Sequence, residues 1–136
     1  MRPRSTEAPG LKGPTTMKKI LLVDDEPDVL AILKKRLESE GYAVETASDG
    51  VEGLEKAAAA VPDAILLDVM MPNKDGFGML SELQADEKLR MIPVIMVTAK
   101  GETEAIFKGQ YLGATDHLIK PVDFQELLKY LRKYTE

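Results

Sequence analysis

Four apolar runs in this chain end in side chains that can do chemistry together. KILLV is followed by Asp24 and Asp25, AILL by Asp68, VIMV by Thr98, and HLI by Lys120. No serine or cysteine nucleophile and no positioned histidine base belongs to this set, so it makes a poor hydrolytic triad. It suits a hard cation and a phosphoryl group. Two carboxylates about 4 Å apart repel by roughly 4 kcal/mol at an effective dielectric near 20, so three clustered acids call for cations. Lys120 supplies one charge. A divalent ion such as Mg²⁺, with Mn²⁺ as the substitute, supplies two and leaves ligand positions for a phosphate oxygen. Asp68 would then act as a carboxylate nucleophile toward phosphorus. Thr98 would donate a hydrogen bond to an equatorial oxygen, and Lys120 would neutralise another.

Each residue has a blander reading when taken alone. Asp25 or Glu26 ahead of Pro27 reads equally well as a helix cap, Asp68 as a strand-end turn residue, Thr98 as an ordinary strand residue, and Lys120 as a solvated cation. The conjunction of four matched strand ends is what points to a site.

The pattern between these residues says how they meet. Short apolar runs at 18–24, 42–47, 63–69, 92–98 and 117–120 alternate with helical periodicity. Pro27 starts the first helix, whose stripe is Val29, Leu30, Leu33 and Leu37, and Gly41 stops it. Ser48 or Asp49 caps a second helix carrying Val51, Leu54 and an alanine run, which Pro62 ends. Residues 71–76 read as a loop, 77–84 as a short helix and 102–112 as a fourth. Asp123 and Glu126 form a capping-box pattern at the head of the last helix, over 121–134, with Phe124, Leu127, Leu128 and Leu131 facing inward. Five strands alternating with five helices predict an α/β fold, a parallel sheet doubly wound by helices through right-handed crossovers. Its crevice lies outside the carboxyl ends of the strands, where the chemical residues stand.

Composition sets the outer bounds. The chain has 136 residues, 44% of them hydrophobic, enough for one core without staples. It has no cysteine and one histidine, His117, which excludes disulfides, thiol catalysis and multi-histidine zinc sites. The net charge of −5 argues against direct nucleic-acid binding or an anionic membrane surface. No apolar run approaches the roughly 20 residues of a membrane span, and residues 1–16, rich in proline and glycine, lack the apolar core of a secretory signal. These features predict a cytoplasmic protein with a disordered tail or remnant over 1–16 and one domain over 17–136.

The motifs LLVDDEP, LLDVMMPNKDG, VTA and GATDHLIKP resemble those of the receiver domain of two-component response regulators, from Lys18 to about Tyr134. The resemblance implies a flavodoxin-like sheet in the order 2-1-3-4-5. It implies Asp68 as the phosphoacceptor, with Asp24, Asp25, Asp68 and the backbone carbonyl of Met70 around Mg²⁺. Thr98 and Lys120 would contact the phosphate, and Lys120-Pro121 would be a cis peptide. The donor would be a sensor histidine kinase or phosphotransfer protein, with small phosphodonors substituting in vitro. The fourth helix, fifth strand and fifth helix would form an output face toward an unidentified downstream protein, as a monomer or a phosphorylation-dependent dimer. His117 stands where the family usually carries a switching Tyr or Phe, and its smaller, titratable ring would make the inward state less apolar. Met70 and Lys100 flank the site at positions that tune water attack, and a bulky apolar group beside a long cation predicts a persistent phosphorylated state. Such a domain is a phosphoacceptor rather than an enzyme.

Rival functions on the same architecture separate at particular residues. A flavin phosphate would meet repulsion from Asp24, Asp25 and Glu26. An aspartate phosphatase wants an acid two residues after its nucleophile, where this chain has Met70. The alternative kept is a non-phosphorylated pseudo-receiver acting as a protein-binding module. The sequence ends close after the last helix, so the expectation is docking onto a partner or excision from a longer regulator.

Overall fold

The computed structural model describes residues 17–71 and 73–136; the predicted tail over 1–16 lies outside them, as does Pro72. Five strands, β1 (Lys19–Val23), β2 (Ala43–Ala47), β3 (Ala64–Asp68), β4 (Val94–Thr98) and β5 (Asp116–Ile119), alternate with five helices. The helices are α1 (Pro27–Ser39), α2 (Gly50–Ala60), α3 (Gly76–Ala85), α4 (Thr103–Tyr111) and α5 (Phe124–Thr135). The strands pair in parallel in the order β2-β1-β3-β4-β5. The order switches between β1 and β3, the place where a crevice opens in doubly wound sheets.

The pleat of each strand divides the core into two layers. Ile20, Leu22, Leu66, Val97 and Leu118 face α1 and α5, meeting Leu33, Leu37, Leu127 and Leu131. Leu21, Val23, Ile65, Leu67 and Met96 point the other way, onto Ala57, Met79, Leu80 and Leu83 of α2 and α3. Central strands buried on both sides lose the alternating pattern and read as continuous apolar runs, as β3 and β4 do.

Several element ends differ from the sequence expectation. Ile92 is not in β4; its N–H closes a turn onto the Leu89 carbonyl, and the strand begins after Pro93. α2 buries Gly50, Gly53 and Ala57 while Val51 is exposed, because the small face is what lets the helix approach the sheet and α3. A Cβ on Gly53 would lie 2.8 Å from the Met79 sulfur. α2 ends on Val61, in a left-handed conformation at φ 44, one residue before Pro62. α3 starts at Gly76 with Asp75 as its cap, whose carboxylate accepts from the Gly78 N–H at 2.8 Å. Asp123 caps α5 by accepting from the N–H groups of Gln125 and Glu126.

The outward carbonyls of edge strand β2 are covered by side chains from both faces. Ala43 and Ala47 bond toward β1 and its extensions, so Val44 and Thr46 turn their carbonyls outward. Lys34 of α1 donates to the Val44 carbonyl at 3.3 Å, and Lys56 of α2 donates to the Thr46 carbonyl.

Candidate functional site

The ends of β1, β3, β4 and β5 converge as the sequence pattern requires. Asp68, the last residue of β3, is 3% exposed, and Thr98, the last of β4, is 2% exposed. Carboxylate oxygens of Asp24, Asp25 and Asp68 lie within 4.8 Å of one another. Lys120, just past β5 and across a cis peptide from Pro121, places its Nζ 3.0 Å from Asp68 Oδ1. The five polar residues named from the strand ends therefore gather around Asp68.

Local structure fixes each of them. Asp24 Oδ1 accepts from the Glu26 N–H at 2.9 Å, which aims the β1–α1 loop, and the Asp24 N–H donates to the Ala47 carbonyl at 3.1 Å. Glu26 occupies the N-cap position of α1 but makes no side-chain cap bond, so the capping reading for it fails and Pro27 at the first turn suffices. The Val69 and Lys120 N–H groups bond the carbonyls of Val97 and Thr98, tying the site loops to β4.

Two buried atoms here have no hydrogen-bond partner among the described residues, Asp68 Oδ2 and Thr98 Oγ1. Buried polar atoms are nearly always satisfied, so an acceptor and a hydroxyl left open in one pocket mark a place built for a ligand. A cavity of about 380 Å³ lies over Asp68, Thr98 and Lys120 and runs outward past Met70, Phe77 and Ala105. A second, of about 480 Å³, approaches Asp24, Asp68 and Lys120 from between α1 and α5.

The electrostatics follow from burial and crowding. Burial, with the nearby Asp68 charge adding to it, pushes the Asp24 carboxyl up to about 6 against the Glu26 N–H and Lys120, which pull it down. Burial also raises Asp68, and the hydrogen bond and charge of Lys120 only partly restrain it. Burial works to lower the Lys120 ammonium, yet its hydrogen bond and attraction to Asp68, with Asp24 and Glu26 behind, hold it above the usual lysine range. The pocket is thus short of positive charge. Its donor set is all oxygen, which suits Mg²⁺ or Mn²⁺ and not a thiolate-seeking metal.

The remaining predicted positions lie around this centre. Met70 is 71% exposed at the cavity rim, and Lys100 is exposed beyond β4. His117 sits half-buried on β5, opposite Met96 and on the α4 side, with Nδ1 3.9 Å from Asp116 Oδ1. Lys108 of α4 places its Nζ 4.5 Å over the Phe77 ring at the cavity mouth. Tyr111 and Phe107 on α4 are exposed, as is Ile119 on β5. Residue types alone missed the link between Asn73 and Asp49, in which Asn73 Nδ2 donates to Asp49 Oδ2 at 2.7 Å. The only sequence signal was that each belongs to a turn-forming cluster.

Known proteins resemble the chain in both sequence and fold. The chain is 46% identical over 110 residues to the alkaline phosphatase synthesis transcriptional regulatory protein PhoP of Bacillus subtilis, covering 81% of this chain and 45% of the relative. It is 40% identical over 116 residues to the DNA-binding dual master transcriptional regulator RpaA of Synechocystis, covering 85% and 48%. The chain spans about half the length of these curated relatives. Among solved structures, the chemotaxis protein CheY4 of Vibrio cholerae superposes with a TM-score of 0.82 at 36% identity, over 88% of this chain and 99% of that one. A response regulator from Chloroflexus aurantiacus gives 0.84 at 32% identity, over 88% and 98%. Residues 20–132 match the model of the response regulator receiver domain. With the acid cluster, the strand order and the relatives in agreement, the chain belongs to the response regulator receiver domain family.

Proposed function

We propose that the chain takes a phosphoryl group onto Asp68 in a Mg²⁺-dependent reaction and uses it to switch the face formed by α4, β5 and α5. The observation that supports this most is the pair of unsatisfied buried atoms, Asp68 Oδ2 and Thr98 Oγ1, beside the Lys120 ammonium and the acids Asp24 and Asp25. Asp24, Asp25, Asp68 and the Met70 carbonyl would hold the ion, which when bound neutralises charge on the phosphoryl oxygens. The Asp68 carboxylate attacks phosphorus, an O–P bond forms, and the bond to the donor breaks. With a phosphohistidine donor that is the P–N bond, and the departing imidazole nitrogen takes up a proton. Lys120, already 3.0 Å from Asp68, remains close enough to pair with the transferred group, and the Thr98 hydroxyl donates to it. The donor is a sensor histidine kinase or phosphotransfer protein. The chain acts as a phosphoacceptor with self-phosphorylation and autodephosphorylation chemistry, not as an enzyme turning over an external substrate.

Signalling would follow from the inward movement of Thr98, which β4 couples to His117 on β5 and to the exposed Phe107 and Tyr111 of α4. The downstream protein docks on that face. Intact-mass measurement after incubation with Mg²⁺ and acetyl phosphate tests the chemistry. Wild type should gain one phosphoryl group and Asp68→Asn none. Equal uptake by both would refute Asp68 as nucleophile, and no uptake by either would favour the binding-only alternative. Among the described residues no helix is long and apolar enough to cross a membrane.

A further inference from the structure

The groups that would hold the ion come from the end of β3 and from two loops that the sheet alone does not lock together. Asp24 and Asp25 follow β1, whereas Met70 lies in the connection between β3 and α3. Carboxylates within 4.8 Å repel, and that repulsion tends to push the β1–α1 loop, with Asp24 and Asp25, away from Asp68 at the end of β3. The N-terminus of α2 bridges the two loops. On one side the Asp24 N–H is bonded to the Ala47 carbonyl, two residues before Asp49. On the other, Asn73 donates to Asp49 Oδ2, and the Gly50 N–H donates to the Lys74 carbonyl at 3.1 Å. The base of the loop is closed by Gly76 N–H to the Val69 carbonyl at 2.9 Å, so its inner end is fixed by β3 and its outer end by Asp49.

Asp49 does two jobs with two oxygens. Oδ1 caps α2 by accepting from the Glu52 N–H at 2.8 Å, which leaves Oδ2 for Asn73. The two donors hold its carboxyl below the usual range, Glu52 first and Asn73 second, so the acceptor stays charged. Asn73 reaches it from a left-handed backbone at φ 66, a conformation asparagine tolerates better than most side chains. A Cβ on Gly50 would stand 2.6 Å from the Lys74 carbonyl oxygen, which shows how closely the loop is pressed onto the helix.

Resting on the metal-dependent reading above, we propose that Asp49 and Asn73 are positioning residues for the divalent cation. Their hydrogen bond holds the loop that carries the Met70 carbonyl at the right separation from Asp24 and Asp25. Mg²⁺ demands near-ideal octahedral geometry, so a small displacement of one ligand weakens binding. Groups bonded directly to metal ligands typically contribute 10- to 100-fold in affinity, and a link that acts through the loop, one step further out, belongs at the low end of that range.

Two substitutions isolate the link on the full chain. Asp49→Ser keeps an oxygen able to cap α2 but too short to meet Asn73. Asn73→Gly removes the donor and leaves the left-handed backbone unstrained. Calorimetric titration with Mg²⁺ should show each variant binding about tenfold more weakly, with the double variant no weaker than either single one, because both act through one bond. Phosphorylation by acetyl phosphate should return to the wild-type rate at saturating Mg²⁺. Wild-type affinity in both single variants would overturn the inference while leaving the Asp68 reading intact, and so would a defect that excess Mg²⁺ does not rescue. If wild type itself binds no Mg²⁺, the metal-dependent reading and this inference fall together.

Discussion

Asp24 shows how a side chain can be placed for a ligand at the expense of the fold. Its carboxyl is raised from 3.8 to about 6, burial being the first cause. A folded protein that binds this proton more tightly than the unfolded chain gains stability as pH falls through 6 toward 3.8. Above that window the charged group costs up to about 3 kcal/mol. Asp24→Asn keeps an oxygen for the Glu26 N–H and removes the charge. Urea unfolding of the metal-free protein at pH 8 should show it about 1–3 kcal/mol more stable than wild type, with the gain shrinking by pH 5. Mg²⁺ binding should be lost in the same variant. A destabilised Asp24→Asn at pH 8 would mean that the carboxylate is held by contacts stronger than burial. The strand-end residues were legible in the sequence because a parallel sheet puts all its carboxyl ends on one edge. The Asn73–Asp49 link was not, since two turn residues far apart carry no sign of which turn they meet.

At the level of elements, periodicity located all ten, and the misreadings have physical causes. A stripe of Leu33 and Leu37 announces a buried helix face, but α2 packs through Gly50, Gly53 and Ala57, and close approach by small residues leaves no apolar signature. Proline at 62 correctly signalled the end of α2, yet the turn is made by Val61, which no propensity would choose. A β-branched residue at φ 44 is strained, and Val61 is also exposed, so its side chain has little burial to offset the strain. Val61→Asn should therefore raise stability by about 1 kcal/mol, read as an increased urea midpoint with unchanged slope. A fall in the midpoint would show that Val61 packs against α2 or the following strand more than its exposure suggests. Chemistry at the site should be untouched, because Val61 lies at the opposite end of α2 from Asp49.

Across the whole molecule, the open sheet has two edges, and β2 is one of them. Unpaired backbone carbonyls on an edge strand are a template for another chain, and charged lysines are a common way to blunt it. Replacing both Lys34 and Lys56 by Met keeps the aliphatic stems and removes the donors. Sedimentation velocity should then reveal concentration-dependent association, while each single replacement stays closer to wild type. A strictly monomeric double variant would assign the protection to strand twist instead. The sealed border also limits the language in which this protein is addressed. A visitor approaching from the β2 flank finds the outward carbonyls already answered for by lysines, and must rely more on helix surfaces and loop tips, by shape and charge. Recognition there can diverge rapidly among paralogues, since side chains are free to vary where hydrogen-bonded backbone would be common to all.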